Sequence, residues 1–170
     1  MTASNLETTL GSSDRLAKEL VASSGYLLAK LGFTFKGRAL AALEEEGFDP
    51  YHYSVLAILG EGARETQATI AAALTIDPSR LVAVLDSLEQ RALIERQRDP
   101  QDRRRHVVRI TSGGERQLLR LREITSRVED EFLAPLDAEE RARFHELLVV
   151  LAAHHDPRCA FAADEDAAAD

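Results

Sequence analysis

Leu93-Ile94-Glu95-Arg96-Gln97-Arg98-Asp99-Pro100-Gln101-Asp102-Arg103-Arg104-Arg105-His106-Val107-Val108-Arg109-Ile110-Thr111 is the stretch on which the fold turns. Leu93 to Arg96 and His106 to Ile110 are short runs rich in apolar or β-branched residues. Gln97 to Arg105, between them, is strongly polar and contains Asp99-Pro100. That pattern predicts a β-hairpin with a long charged tip. From Arg91 to Arg109 there are seven arginines (91, 96, 98, 103, 104, 105 and 109) against Glu95, Asp99 and Asp102, a local excess of four positive charges. The 170-residue chain carries a net charge of -8, so everything outside this window sums to -12. Acidity overall does not exclude a nucleic-acid partner, because phosphate contact needs a local basic surface rather than a basic protein.

Upstream of the hairpin the apolar period changes to that of helices. Asp77-Pro78 is a strong start signal, a capping residue followed by a proline suited to the first turn. Leu81, Val84, Leu85 and Leu88 then recur on one face to about Arg91. Before it, Thr66 to Leu74 reads as a short helix, with Thr66 as its cap and Ile70, Ala71 and Leu74 inward, and Thr75-Ile76 makes the turn. Two short helices joined tightly, the second opening on small and polar residues, form a helix-turn-helix pattern. Asp49-Pro50 starts an earlier helix that ends at Gly60 to Gly62, with Tyr53, Leu56, Ala57 and Leu59 apolar.

The flanks are helical and leucine-rich. Ser13 to Glu46 reads as one long helix, capped by Ser13 or Asp14, with a bend or break expected near Gly32 to Gly37. After Thr111-Ser112-Gly113-Gly114, a helix carries Leu118, Leu119, Leu121, Ile124, Val128 and Phe132. Asp137 caps a last one, to about His154, with Phe144, Leu147, Leu148 and Leu151 on one face. Helices this apolar around a small central domain suggest pairing with a second copy. The segments are thus a flexible 1–12, an N-terminal dimerisation segment 13–48, a DNA-binding domain 49–112, dimerisation helices 113–155 and a disordered acidic tail 156–170. The expected fold class is mainly α: a winged helix-turn-helix with a two-stranded β-wing and long N- and C-terminal dimerisation helices.

This order of elements resembles the MarR family of bacterial transcription regulators over roughly residues 13–154. Asp99, a short spacer, Asp102-Arg103-Arg104 and a strand ending in Thr111 match the family's wing signature. Thr66-Gln67 with Ile70-Ala71 matches the start of its helix-turn-helix. Asp77-Pro78-Ser79, Leu85-Asp86 and Leu88-Glu89 match its recognition helix. The resemblance implies a homodimeric repressor of double-stranded DNA, released by a small aromatic or lipophilic effector that binds between the dimerisation helices and the DNA-binding domain. Two departures stand out. A polar residue and an arginine often found mid-helix in the family are here Val82 and Ala83, which shifts readout towards thymine methyls, the wing and DNA shape. The family's glycine after the recognition helix is Ala92.

The candidate residues follow from those roles. At the wing, Arg98, Arg103, Arg104 and Arg105 are available to a minor groove, Arg103 first and Arg105 second, with Asp86 and Asp102 orienting them. The alternative is a solvated charge run; a position between two strands after a helix-turn-helix favours DNA. On the recognition helix, Ser79, Arg80, Ala83 and Ser87 face the major groove, and Arg80 takes a guanine edge or a phosphate unless it is an ordinary surface arginine. Thr66, Gln67 and Thr69 position phosphates and carry no sequence information. Tyr26, Phe33, Phe35, His52 and Tyr53 are the effector-pocket candidates, each equally at home as core.

Other classes find less support. No Gly-rich phosphate loop, nucleophile elbow or metal-ligand motif suggests an enzyme, and no cofactor is expected. His154-His155 with Cys159 could be read as a metal cluster, but adjacent helical histidines point apart, and exposed helix-end histidines are the simpler reading, so no metal is assigned. One cysteine excludes an internal disulfide. Met1 to Ser13 lacks a signal-peptide pattern and no run spans a bilayer, giving a cytoplasmic, membrane-free expectation. The alternatives are a metal-responsive or effector-independent regulator of the same fold, or a winged-helix scaffold kept only for protein interaction, the last disfavoured by the arginines of the tip.

Overall fold

A computed structural model of the chain describes residues 16–62, 65–98 and 106–161. The chain divides into two compact units, Met1–Thr125 and Ser126–Asp170. The first begins with α1 (Lys18–Ala22) and α2 (Ser24–Glu45), followed by α3 (Pro50–Gly60), β1 (Glu65–Thr66), α4 (Gln67–Leu74) and α5 (Pro78–Gln90). The hairpin strands β2 (Ile94–Arg98) and β3 (His106–Ile110) come next, and α6 (Ser112–Phe132) leads out of this unit. The second unit holds α7 (Ala138–His155) and a short 3-10 helix, Pro157–Phe161, where the sequence had suggested no regular structure.

The N-terminal helix breaks at Ser23 and not at the glycines. Ser23 takes an extended conformation and its hydroxyl oxygen accepts from the Tyr26 amide at 3.3 Å, capping α2. Gly32 and Gly37 continue inside α2 with open space around them. A glycine in a helix costs stability without stopping it, whereas a serine that offers an amide a better partner than the next helical turn marks a start. The proposed caps Ser13 and Asp14 lie outside the described residues.

The other helix starts follow local chemistry. Asp49 accepts from the amides of Tyr51 and His52, Asp77 from that of Ser79, and Asp137 from that of Glu140. Thr66 and Thr69 form a reciprocal capping box at the start of α4. Leu81, Val84, Leu85 and Leu88 of α5 are buried together with Val55, Leu56 and Leu59 of α3 and Ile70 of α4. Three short helices that would be marginal alone share one core.

The sheet has an unforeseen member. Beside the two-stranded wing, Glu65 and Thr66 pair antiparallel with Val108 and Val107, giving the order β1-β3-β2. Thr66 therefore ends a strand and caps α4 at once, tying the helix-turn-helix to the hairpin. Two residues are too few for periodicity to reveal, which is why only the pairing exposes them.

At the other edge, α5 ends in a Schellman arrangement: the Leu93 amide donates to the Leu88 carbonyl at 3.0 Å and the Ala92 amide to that of Glu89 at 2.9 Å. Ala92 takes φ 56, the left-handed region that favours glycine. Its strain is held by buried Leu88 and Leu93 on either side. The Thr111 amide donates to the Leu93 carbonyl at 3.0 Å, and the Thr111 hydroxyl lies 2.8 Å from the Ala92 carbonyl oxygen and accepts from the Gly114 amide at 3.0 Å. A Cβ on Gly114 would collide with the Leu93 carbonyl oxygen and the Ile110 side chain.

Opposite outcomes are expected at these two positions. Ala92→Gly should stabilise the chain by about 1 kcal/mol by relieving the left-handed strain. Gly114→Ala should destabilise it by about 2–3 kcal/mol through overpacking. Urea unfolding with unchanged m-values checks both; equal stability of all three proteins would remove the strain account.

Candidate nucleic-acid interface

Burial of one side of α5 leaves the other side outward. Ser79, Arg80, Val82 and Ala83 are exposed, Ser87 and Asp86 half-buried, while the leucines between them are buried. Val82 is 43% exposed, so an apolar side chain faces solvent in the middle of the helix. The Ser79 hydroxyl is engaged by the Asp77 carboxylate, which holds that carboxyl below its ordinary pKa. The Arg80 guanidinium lies over the Tyr51 ring of α3, 4.4 Å from its centroid. Of the residues assigned to phosphates, Thr66 and Thr69 bond to each other in the α4 cap; Gln67 is half-buried and follows directly.

The arginines counted as one basic window separate into two groups. Arg91 is used internally: it donates to the Gly47 carbonyl at 2.7 Å and lies over the Phe48 ring at 4.5 Å. Arg96 on β2 is tied to α5, its Nε donating to Glu89 Oε2 at 2.9 Å and its terminal nitrogen to both Glu89 and Asp86. These bonds hold the Glu89 carboxyl below its ordinary pKa, and raise that of Arg96. Asp86 thus touches the wing strand through Arg96. Arg98 is exposed at the end of β2 and Arg109 half-buried on β3. Arg103, Arg104, Arg105 and Asp102 lie outside the described residues. Sequence reasoning missed the internal roles of Arg91 and Arg96; only the Asp86 to Glu89 spacing on one helix face, opposite a strand arginine, hinted at the second.

The five pocket candidates do not form one cluster within a chain. Tyr26 and Phe33 are seven residues apart and share a stripe of α2, while Phe35 falls about half a turn away from both. Phe33 is 83% exposed. Tyr53 packs against the core. His52 belongs to the α3 cap: its Nδ1 accepts from the Asp49 amide at 3.2 Å, and its ring meets Phe48 edge-on. Burial lowers its pKa, against the pull of Asp49. Its Nε2 is buried with no hydrogen-bond partner among the described residues.

Among the described residues no group of three or more His, Cys, Asp or Glu side chains converges on a metal position, and no single helix is long and apolar enough to cross a membrane. His154 and His155 stack edge to face at 5.1 Å, and Cys159 is exposed on the 3-10 helix.

Residues 50–106 match the model of the MarR family. A protein of Thauera aromatica described as a transcriptional regulatory protein for the hcr operon is 30% identical over 132 residues, 73% of this chain and 80% of its own length. The transcriptional repressor CouR, known from Rhodococcus jostii RHA1 and solved bound to a 23-mer DNA duplex, is 31% identical with a TM-score of 0.71. That match covers 81% of this chain and 99% of CouR. The PcaV regulator of Streptomyces coelicolor, solved with its natural ligand, is 33% identical at a TM-score of 0.63, covering 81% and 97%. These relatives and this fold are those of transcription regulators, not of enzymes.

The internal use of Arg96 has a measurable consequence. Arg96→Ala should cost about 1 kcal/mol at neutral pH, the scale of a partly exposed ionic network. Because the folded Glu89 pKa is depressed, the contribution is present above its ordinary value of 4.5 and is lost as pH falls through the lower folded value. The stability gap between wild type and R96A should therefore close in acid; a gap constant from pH 7 to pH 3 would show that Arg96 acts by packing alone.

Proposed function

The chain belongs to the MarR family of transcription regulators, and from that premise we propose that it is a cytoplasmic homodimeric repressor that binds a pseudo-palindromic operator and leaves it when a small aromatic or lipophilic effector binds. The observation that carries this reading is the outward face of α5, polar at its start and apolar at Val82, standing beside an arginine-rich hairpin in a chain 31% identical to a repressor solved on DNA. Ser79, Arg80, Ala83 and Ser87 would lie in the major groove, with Val82 offering contact to a thymine methyl. Arg98, Arg103, Arg104 and Arg105 would reach the flanking minor groove, with Asp86 and Asp102 orienting them. Thr66, Gln67 and Thr69 would hold the backbone through the end of the α4 helix.

Dimerisation is supported by apolar surface in both units. Leu27, Leu28 and Leu31 of α2 are exposed, as are Phe144, Leu147 and Leu151 of α7, which recur at helical spacing. Two-fold pairing would cover such stripes and repeat the reading helix at a fixed distance. Release by an effector is supported by the ligand-bound state of PcaV and by the structure of CouR with p-coumaroyl-CoA. Tyr26 and Phe33, on one stripe of α2, are the residues we assign first to effector contact.

Selection of bound duplexes from a random library, repeated across salt concentrations, tests the proposal. A palindrome with half-sites roughly 10 bp apart, one helical turn, is expected. Recovery of nothing above background at low salt would overturn DNA binding, and a single unpaired half-site would overturn the dimer. Arg103→Ala should weaken binding on every sequence alike and reduce the salt slope by about one phosphate contact. Wild-type affinity and slope in that variant would remove Arg103 from the wing contact.

A further inference from the structure

The contact between Arg80 and Tyr51 joins an exposed side chain of the reading helix to a half-buried ring of a different helix. Tyr51 sits one residue beyond the α3 start, and its own amide is fixed by Asp49 Oδ1 at 2.8 Å. The same carboxylate oxygen holds the His52 amide, so the turn that carries the ring is anchored at two amides. Across from it, Arg80 occupies the first turn of α5, three residues after the cap Asp77. Its guanidinium carbon is 4.4 Å from the ring centroid, within the range of a cation–π contact.

The chemistry of such a contact differs from that of an ion pair. A carboxylate partner occupies the N–H groups of a guanidinium. A ring face meets the guanidinium through its π surface, and the donors point outward in the guanidinium's own plane. An arginine held this way loses rotamer freedom before it binds and keeps the paired donors that a guanine O6 and N7 edge requires. Arg96, engaged by Glu89 and Asp86, illustrates the opposite case, in which the donors are spent inside the protein.

We propose that Tyr51 is a positioning residue for base readout: its ring face pre-sets the Arg80 guanidinium at the mouth of the reading helix so that Arg80 recognises one guanine in each operator half-site. The proposal rests on the DNA-binding function above and deepens it by naming the base and the residue behind its reader. Tyr51 itself touches no base.

The experiment measures affinity of the full-length protein for the selected operator and for duplexes altered at each half-site position, using wild type, R80A, Y51F, Y51L and the double variant Y51L/R80A. R80A should erase the preference at one G·C pair and leave the other positions alone. Y51L should narrow preference at that same pair by about two- to fivefold, the scale of an exposed cation–π contact, with affinity for random-sequence DNA unchanged. Y51F, which keeps the ring, should match wild type, and Y51L should add nothing in the R80A background. Y51M repeats the measurement if Y51L fails to give wild-type cooperative unfolding. Equal loss at all positions, an undiminished preference in Y51L, loss in Y51F as large as in Y51L, or an additive effect in the double variant would each overturn the positioning role. If R80A weakens every duplex alike, Arg80 contacts phosphate and the guanine assignment falls while DNA binding stands. If wild type selects no operator, the functional proposal itself has failed.

Discussion

The Leu93 carbonyl group is where α5, the hairpin and α6 converge. It accepts the Thr111 amide, and its oxygen occupies the space that any side chain on Gly114 would need. Leu93 in turn is placed by the left-handed turn at Ala92, which reverses the chain out of α5 and into β2. In a few residues the end of α5, both wing strands and the start of α6 are set against one another. The backbone polar groups of this crowded corner are satisfied by one another and by the Thr111 hydroxyl. Without that convergence, α5 and the hairpin would be joined mainly by the bonds from Arg96 to Glu89 and Asp86.

Much of this was legible because it is local. Asp49-Pro50, Asp77-Pro78 and Asp137 announce helix starts by chemistry acting over two or three residues, and each of the three carboxylates caps its helix. The alternation of buried leucines with exposed Ser79, Val82 and Ala83 follows from the helical period alone. Features that depend on distant partners were hidden. Glu65 and Thr66 become a strand only because β3 offers an edge. Ala92 adopts a conformation its side chain disfavours because Leu88 and Leu93 are buried on both sides of it. The break falls at Ser23 and not at Gly32 to Gly37, where the glycines point to it, since a glycine signals freedom and a capping hydroxyl signals an alternative bond.

The basic window shows the limit of counting charges. Seven arginines were equivalent on paper, yet Arg91 is committed to Phe48 and Gly47, and Arg96 to Glu89 and Asp86. Both lie at or near the base of the hairpin, where the surrounding carbonyls and carboxylates are within reach. Arg98 is exposed at the end of β2, and Arg103, Arg104 and Arg105 lie outside the described residues. The formal excess thus includes cations already committed to partners inside the chain, and only a partner-by-partner assignment reveals them. The aromatic candidates divide in the same way: Tyr53 and His52 serve the core and the α3 cap, whereas Phe33 stands in solvent.

The separation of duties along α5 reaches beyond the single molecule. Its leucines carry the core, and its outward residues, Ser79, Val82 and Ala83, carry almost none of it. Substitutions at Val82 and Ala83 leave the fold nearly as stable as before, since surface changes away from caps and cores are small in energy, whereas Ser79 also bonds to the Asp77 cap. On the proposed role of α5, a lineage of such proteins can therefore drift from one operator to another without passing through unfolded intermediates. After gene duplication, two copies can come to govern different promoters by a handful of changes on one side of one helix.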